Sequence, residues 1–375
     1  MQLAGGNDGL NTIIPINDDA YYRALPKLAI KAAALKIDDT TGMHPNLGGL
    51  KAIFDQGQLA IVEGVGYPDP NRSHFHSTEI WHTESDSKKT ENHGWIGRYF
   101  VHYCQHQAAS VGLAIGKQNP QVFSASVPKG VTFSDPRLLK VSTPKGSKDM
   151  MMGMDEDAAP ENSSGDSIGA LSGSPTKPAG SSPLSLLGNT AFEANTSSKQ
   201  VEAILKKVKP EHDYPATRFA KELQVVSQLI RGNMPSRIYY LSRGGFDTHK
   251  NQAGTHATLM TDVGDALQAF NAELNATGHG KQVRVLVYSE FGRRVKQNSS
   301  GGTDHGVAAP VFVLGGNIKG GFYGKRPSLK SDALIKGDIA HTTDYRAVYA
   351  TLLEKHLGTD SQPVLFKEFE MLDFI

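Results

Sequence analysis

The sequence is short of cysteine, of net charge and of uninterrupted apolar stretches, and each shortage removes a class of protein. One cysteine, Cys104, in 375 residues excludes an internal disulfide framework and any cysteine-rich metal centre. With 39 Lys and Arg against 38 Asp and Glu the formal charge is +1, too little to neutralise a run of phosphates, which excludes a general nucleic-acid binder. No apolar run approaches the roughly 20 residues that span a bilayer. The opening residues lack a charged region followed by an apolar one, so no signal peptide is expected within this sequence. What remains is the composition of a globular protein, 38% hydrophobic and 21% charged. Fourteen histidines beside a single cysteine turn any metal argument toward oxygen and nitrogen ligands.

Short β-rich runs alternate with amphipathic helical ones. Strands are predicted at Leu59–Val62, Ile238–Leu241, Arg284–Tyr288 and Pro310–Leu314, and helices over 47–54, 217–231, 256–274 and 345–357. This alternation points to an α/β fold with a mostly parallel sheet, whose sites form at the carboxyl ends of its strands. From Ala159 to Gly188, 17 of 30 residues are Ser, Gly or Pro, which reads as a flexible insertion at about 145–196 within a single domain spanning 1–375. A helical run resumes from Gln200 to Lys207. The first residues read as the end of a strand, Gln2-Leu3-Ala4, and the loop after it, Gly5 to Gly9. Two readings follow: a segment precedes this sequence, or a short edge strand begins it.

Four loops next to predicted strands hold metal-type ligands: Asn7-Asp8, Phe246-Asp247-Thr248-His249, Ser289-Glu290-Phe291-Gly292-Arg293-Arg294 and Thr303-Asp304-His305. A parallel sheet would bring them to one edge. Carboxylates and imidazoles together suit divalent ions, and two ions about 3.5–4 Å apart would stabilise both oxygens of an ester displacement. Each loop alone is weak, since Asp304-His305 also fits a simple turn. Ser73 stands where Pro68-Asp69-Pro70-Asn71-Arg72 gives way to a helix. It either caps that helix or serves as a nucleophile beside an anion-attracting helix terminus. His74 and His76 fall on different sides of the helix start, so one of them is structural. Arg293-Arg294 offers a guanidinium for an anion, with one of the two pairing to a surface carboxylate. His44 reaches the site or caps locally. His341, Thr342, Thr343, Asp344 and Tyr345 read as a helix start capped by Thr342 or Thr343. His82, His93, His102 and His106 receive no role, and the helix from His256 reads as core packing.

The segments GGNDGLNT (5–12), HPNLGGLK (44–51), VGYPDPNRSHFHSTEIW (65–81), GGFDTHKNQ (244–252), SEFGRR (289–294), GGTDHG (301–306) and TTDYRAV (342–348) together resemble the bacterial "domain of unknown function 1501" family, over nearly the whole chain apart from roughly 140–200. That resemblance implies an alkaline phosphatase-like fold: three layers, α/β/α, around a central mostly parallel sheet, in the superfamily of sulfatases and phosphatases. It also implies twin-arginine export to the periplasm or beyond. Carried over residue by residue, it implies one or two divalent ions (zinc, manganese, calcium or magnesium). Asp247, His249 and His305 would hold one ion, and Asp8 and Glu290 a harder second one. Ser73 would be the nucleophile, with Arg294 steadying the anion. Asn7, His74, Asp304 and His44 are further candidates. Phe291 stands where the superfamily has a histidine, so the second ion loses an imidazole. The substrate implied is a small or glycan-linked anionic phosphate or sulfate ester; the alternative is an exported binding or assembly protein that kept the fold and lost catalysis. Oligomeric state is not legible.

Overall fold

The computed structural model describes residues 1–127, 129–135, 140–141 and 196–375, so the predicted insertion falls almost wholly outside the described residues. The short first strand organises the rest. Gln2–Leu3 pairs in parallel with Ile238–Arg243, Leu3 opposite Arg243. On its other side Gln2 is bridged in parallel to Tyr288, and the Leu3 amide donates to the Tyr288 carbonyl at 2.7 Å. It thereby joins two sheets. One runs in the order Gln2–Leu3, Ile238–Arg243, Gly112–Ile115, Val131–Asp135, Lys140–Val141; the other runs Val285–Val287, Ala309–Leu314, Leu59–Gly66, then Gly321–Tyr323. Thr343–Asp344 also pairs with Leu59–Gly66.

The strand array is mixed. Pairs are parallel from Gln2–Leu3 out to Val131–Asp135, but Ala309–Leu314 runs antiparallel to both its neighbours. The reason lies in the connection. Between Val287 and Ala309 the chain makes only a two-stranded ribbon, Arg293–Gln297 against Thr303–His305. A parallel return needs a crossover, usually a helix, and without one the chain comes back reversed. Arg293, Arg294 and Thr303–His305, expected in loops, therefore lie in strands.

Successive residues of each strand feed opposite faces. Leu59 and Ile61 pack with Leu50, Leu223 and Leu267, from helices Gly48–Asp55, Arg218–Arg231 and Gln252–Ala276. Ala60 and Val62 pack with Ile80, Phe100 and Val348, from His74–Thr83, Trp95–Tyr103 and Tyr345–Thr351. Burial on both faces explains the unbroken apolar runs Leu59–Val62 and Val311–Leu314. Thr217 caps Arg218–Arg231 by accepting from the Ala220 amide at 3.2 Å. Tyr345–Thr351 is capped by Asp344, which accepts from the Arg346 amide at 3.0 Å, in place of the threonines expected there. Among the described residues no helix is long and apolar enough to cross a membrane.

This arrangement sets the chemistry at one edge. Gln2–Leu3, Ile238–Arg243 and Val285–Val287 run the same way, and the chain leaving them carries Asp8, Asp247 with His249, and Glu290. The backbone there is close-packed. A Cβ on Gly5, at φ +120°, would lie 2.4 Å from the Asp247 amide nitrogen, so only glycine lets the first loop pass the second.

Candidate metal centre

Histidine 305 ends the second strand of the ribbon, opposite Arg293. Its Nδ1 lies 2.8 Å from the carbonyl oxygen of Arg72. A carbonyl only accepts, so Nδ1 carries the proton and the neutral ring presents a lone pair at Nε2. The same logic fixes His74, the first residue of its helix. Its Nδ1 is 2.9 Å from Oε1 of Glu290, a carboxylate 2% exposed that also accepts from the Gly5 amide at 2.8 Å and from Gln2 Nε2 at 3.3 Å. That hydrogen bond to Glu290 raises the pKa of the imidazole. The Nε2 of His74 is buried and has no hydrogen-bond partner.

Both Nε2 atoms face one oxygen. Asp247 Oδ1 lies 3.5 Å from His74 Nε2, 3.1 Å from His305 Nε2 and 2.9 Å from His249 Nε2. His249 Nε2 is also 2.9 Å from His305 Nε2, while its Nδ1 is 3.2 Å from Asp304 Oδ1. The ligand atoms of His74, Asp247 and His305 all fall within 4.8 Å of one another. Lone pairs so gathered repel unless a proton or a cation sits between them. Three imidazoles and a carboxylate, each imidazole with Nδ1 held by an oxygen, are the donor set of zinc and similar ions.

Arg293 braces the cluster. Its buried guanidinium donates to the carbonyls of Gly5 (2.8 Å), Gly6 (2.8 Å), Phe246 (2.7 Å) and Thr303 (3.2 Å), and to Asp247 Oδ1 at 2.8 Å. Burial pushes the Asp247 carboxyl up, and the hydrogen bond and positive charge of Arg293 outweigh it, holding the pKa down at about 2. Phe291 lies against both imidazoles, its ring centroid 4.9 Å from His74 and 4.7 Å from His305.

The family described as "Protein of unknown function (DUF1501)" matches residues 3–371. The chain belongs to the DUF1501 family. No curated protein and no solved structure matches it.

In this DUF1501 chain the matched region contains every ligand of the cluster, and four of the residues proposed from sequence meet there: Asp247, His249, His305 and His74. Asp304 stands behind them on His249. His76 is the other partner of its pair, 3.3 Å from Glu79 one turn on. Glu290 supports His74 from behind. Asp8 is held elsewhere: it caps the short helix Gly9–Thr12, accepts from Asn11 Nδ2 at 2.7 Å and from Gln252, and burial raises its pKa. Among the described residues, the one group of His, Asp and Glu side chains with metal-ligand spacing is that of His74, Asp247 and His305; Asp8, Glu290 and His249 are outside it, though His249 Nε2 touches it at Asp247 Oδ1 and His305 Nε2. Arg294 pairs with the fully buried Asp338 at 3.1 Å, which Arg72 also grips. Ser73 precedes the helix of His74 as expected, is exposed and caps no amide with its side chain. The bracing role of Arg293, named from sequence only as half of an anion-binding pair, and the Arg72 carbonyl were missed. Alternation along the ribbon would have found the first, because Arg293 and Val295 are buried while Arg294 between them is not.

Asn7 and His44 belong to a neighbouring buried network. Asn7 Oδ1 lies 3.2 Å from His256 Nε2, and the His256 ring packs edge-on to His44 at 5.2 Å. Burial lowers the pKa of both histidines from 6.5 to about 4. The neutral rings are favoured in the fold, so the unfolded chain binds more protons between those values. This stability is fully present above pH 6.5 and is lost as pH falls toward 4, at roughly 1.4 kcal/mol per pH unit per group. His82 and His356, lowered to about 4 by burial as well, act in the same direction. Melting temperature should therefore fall across this window, and His256→Gln should flatten the slope; an unchanged slope would show that His256 does not titrate there.

Proposed function

We propose that the chain is a metal-dependent hydrolase of phosphate or sulfate esters. In this reading it has the three-layer alkaline phosphatase-like arrangement and is exported, in its full-length form, to the periplasm or beyond. The observation that carries this reading is the orphaned Nε2 of His74, aimed with those of His249 and His305 at Asp247 Oδ1. These four residues would hold one divalent ion, zinc or manganese by donor type. Bound there, the ion would supply Lewis acidity toward an ester oxygen. A second ion on Asp8 and Glu290 is the weaker part of the expectation, because the oxygens of both carboxylates are already engaged by protein donors.

The chain's own residues would do the rest. Ser73 sits between Arg72, whose carbonyl orients His305, and His74. Its hydroxyl stands at the amino terminus of a ten-residue helix, where free N–H groups favour an anionic group. Arg72 and Arg294, held as a pair by Asp338, would steady that anion from the side. Glu290 and the Arg72 carbonyl keep the two imidazoles in the tautomer that leaves Nε2 free.

The test is Ser73→Ala. Turnover of an aryl phosphate or aryl sulfate should fall by at least about 100-fold, with metal content and melting temperature unchanged. Activity that survives the substitution would remove Ser73 as nucleophile. The second reading, an exported binding or assembly protein, is favoured by Phe291, which fills with an apolar ring the place where the superfamily resemblance expects an imidazole. It predicts a fully metal-loaded wild-type chain with no turnover on any ester.

A further inference from the structure

The seam between the two sheets is incomplete. Ile238–Leu241 pairs with Gly112–Ile115 on one edge only, and Val285–Val287 pairs with Ala309–Leu314 on one edge only. Gln2–Leu3 fills the gap between them no further than Ser242 and Tyr288. Beyond Met1 the two open edges face each other across a cavity of about 420 Å³. Its walls come from both faces of the strand array. Leu223, Val226 and Phe270 belong to one core cluster, and Trp95, Ile96 and Leu352 to the other. A cavity between two layers would be lined by one cluster; this one passes through the sheet itself.

We propose that this slot is the seat of a further strand: about four residues of extended, apolar polypeptide running into Met1 from its amino-terminal side. The continuity of an existing pairing argues for it. The Met1 nitrogen already donates to the Leu286 carbonyl at 2.8 Å, and the Met1 carbonyl accepts from the Tyr288 amide at 3.2 Å. In the register that sets Gln2 opposite Ser242 and Tyr288, the next residues back would lie opposite 238–240 on one side and 284–286 on the other. A parallel strand there would complete two ladders at once. Its side chains would point alternately into two apolar clusters, so every position should be apolar, as in strands buried on both faces.

The experiment compares the 375-residue chain with two versions extended before Met1, one by Val-Ile-Val-Val and one by Ser-Gly-Asp-Gly. The apolar extension should raise the melting temperature by about 5 °C or more, and the polar one should not. Hydrogen exchange should show the alternate amides of 238–241 and 283–286 that face the slot at least ~10-fold slower only with the apolar extension. Equal melting temperatures and equal exchange in all three proteins would overturn the proposal. So would protection of those amides in the unextended chain together with concentration-dependent dimerisation, which would put a second copy's strand in the slot.

Discussion

Asp247→Ala should remove together the ion and the turnover that the proposed function assigns to this chain. Oδ1 of Asp247 is the one atom that all three imidazole Nε2 atoms approach, at 2.9 to 3.5 Å. Loss of residues that merely orient ligands typically weakens a metal site 10–100-fold, so removing the shared carboxylate should cost at least about 100-fold in affinity. Asp247→Asn separates charge from shape. The amide keeps an oxygen for Arg293 to donate to, yet brings no negative charge, and it should lose the ion nearly as completely. The measurement is elemental mass spectrometry on dialysed protein, paired with titration of zinc into the chelator-treated form. Full stoichiometry in both variants would place the ion elsewhere and end the assignment of His74, His249 and His305 with it.

Arg293→Met should produce the largest loss of stability of any single change at the site. The guanidinium is wholly buried and donates to four backbone carbonyls and one carboxylate from three separate stretches of chain. A methionine fills much of the volume and donates nothing. Breaking one side of such a buried charged network costs about 3–5 kcal/mol, which for a chain of this size means a melting temperature lower by about 4–6 °C. Arg293→Lys should recover little, since one ammonium cannot reproduce a planar fork. Thermal unfolding of chelator-treated protein checks this without interference from the ion. A fall of under about 2 °C would mean that the carbonyls find other donors.

Much of this was legible in the residues. The runs Leu59–Val62 and Pro310–Leu314 announce strands because each is apolar at successive positions, and the observed strands Leu59–Gly66 and Ala309–Leu314 differ from them mainly at the ends. Asp247, His249 and His305 follow from placing metal-type residues at strand ends. The reversed direction of Ala309–Leu314 was hidden, because direction depends on a ribbon whose members, Arg293–Gln297 and Thr303–His305, read as polar loops. The division of labour between the carboxylates was hidden too. Nothing local to Glu290 says whether it faces the centre of the cluster or the back of one of its histidines; that depends on His74, which lies 216 residues away in sequence. The choice between Arg293 and Arg294 turned on the same unseen ribbon, whose pleat sends one inward and the other to Asp338.

The bracing by Arg293 also bears on which ion the cage would accept. Selectivity among divalent ions depends on cavity size, ligand number and how far the walls give way. Loops tied to separate anchors adjust to a large ion as readily as to a small one. Here a single side chain joins the Gly5–Gly6 turn, the Phe246–Asp247 turn and Thr303, so these walls shift together or not at all. Such a frame discriminates by radius: calcium, which takes ligands at about 2.3–2.6 Å, would strain it, whereas zinc, with nitrogen ligands at about 2.0–2.1 Å, would not.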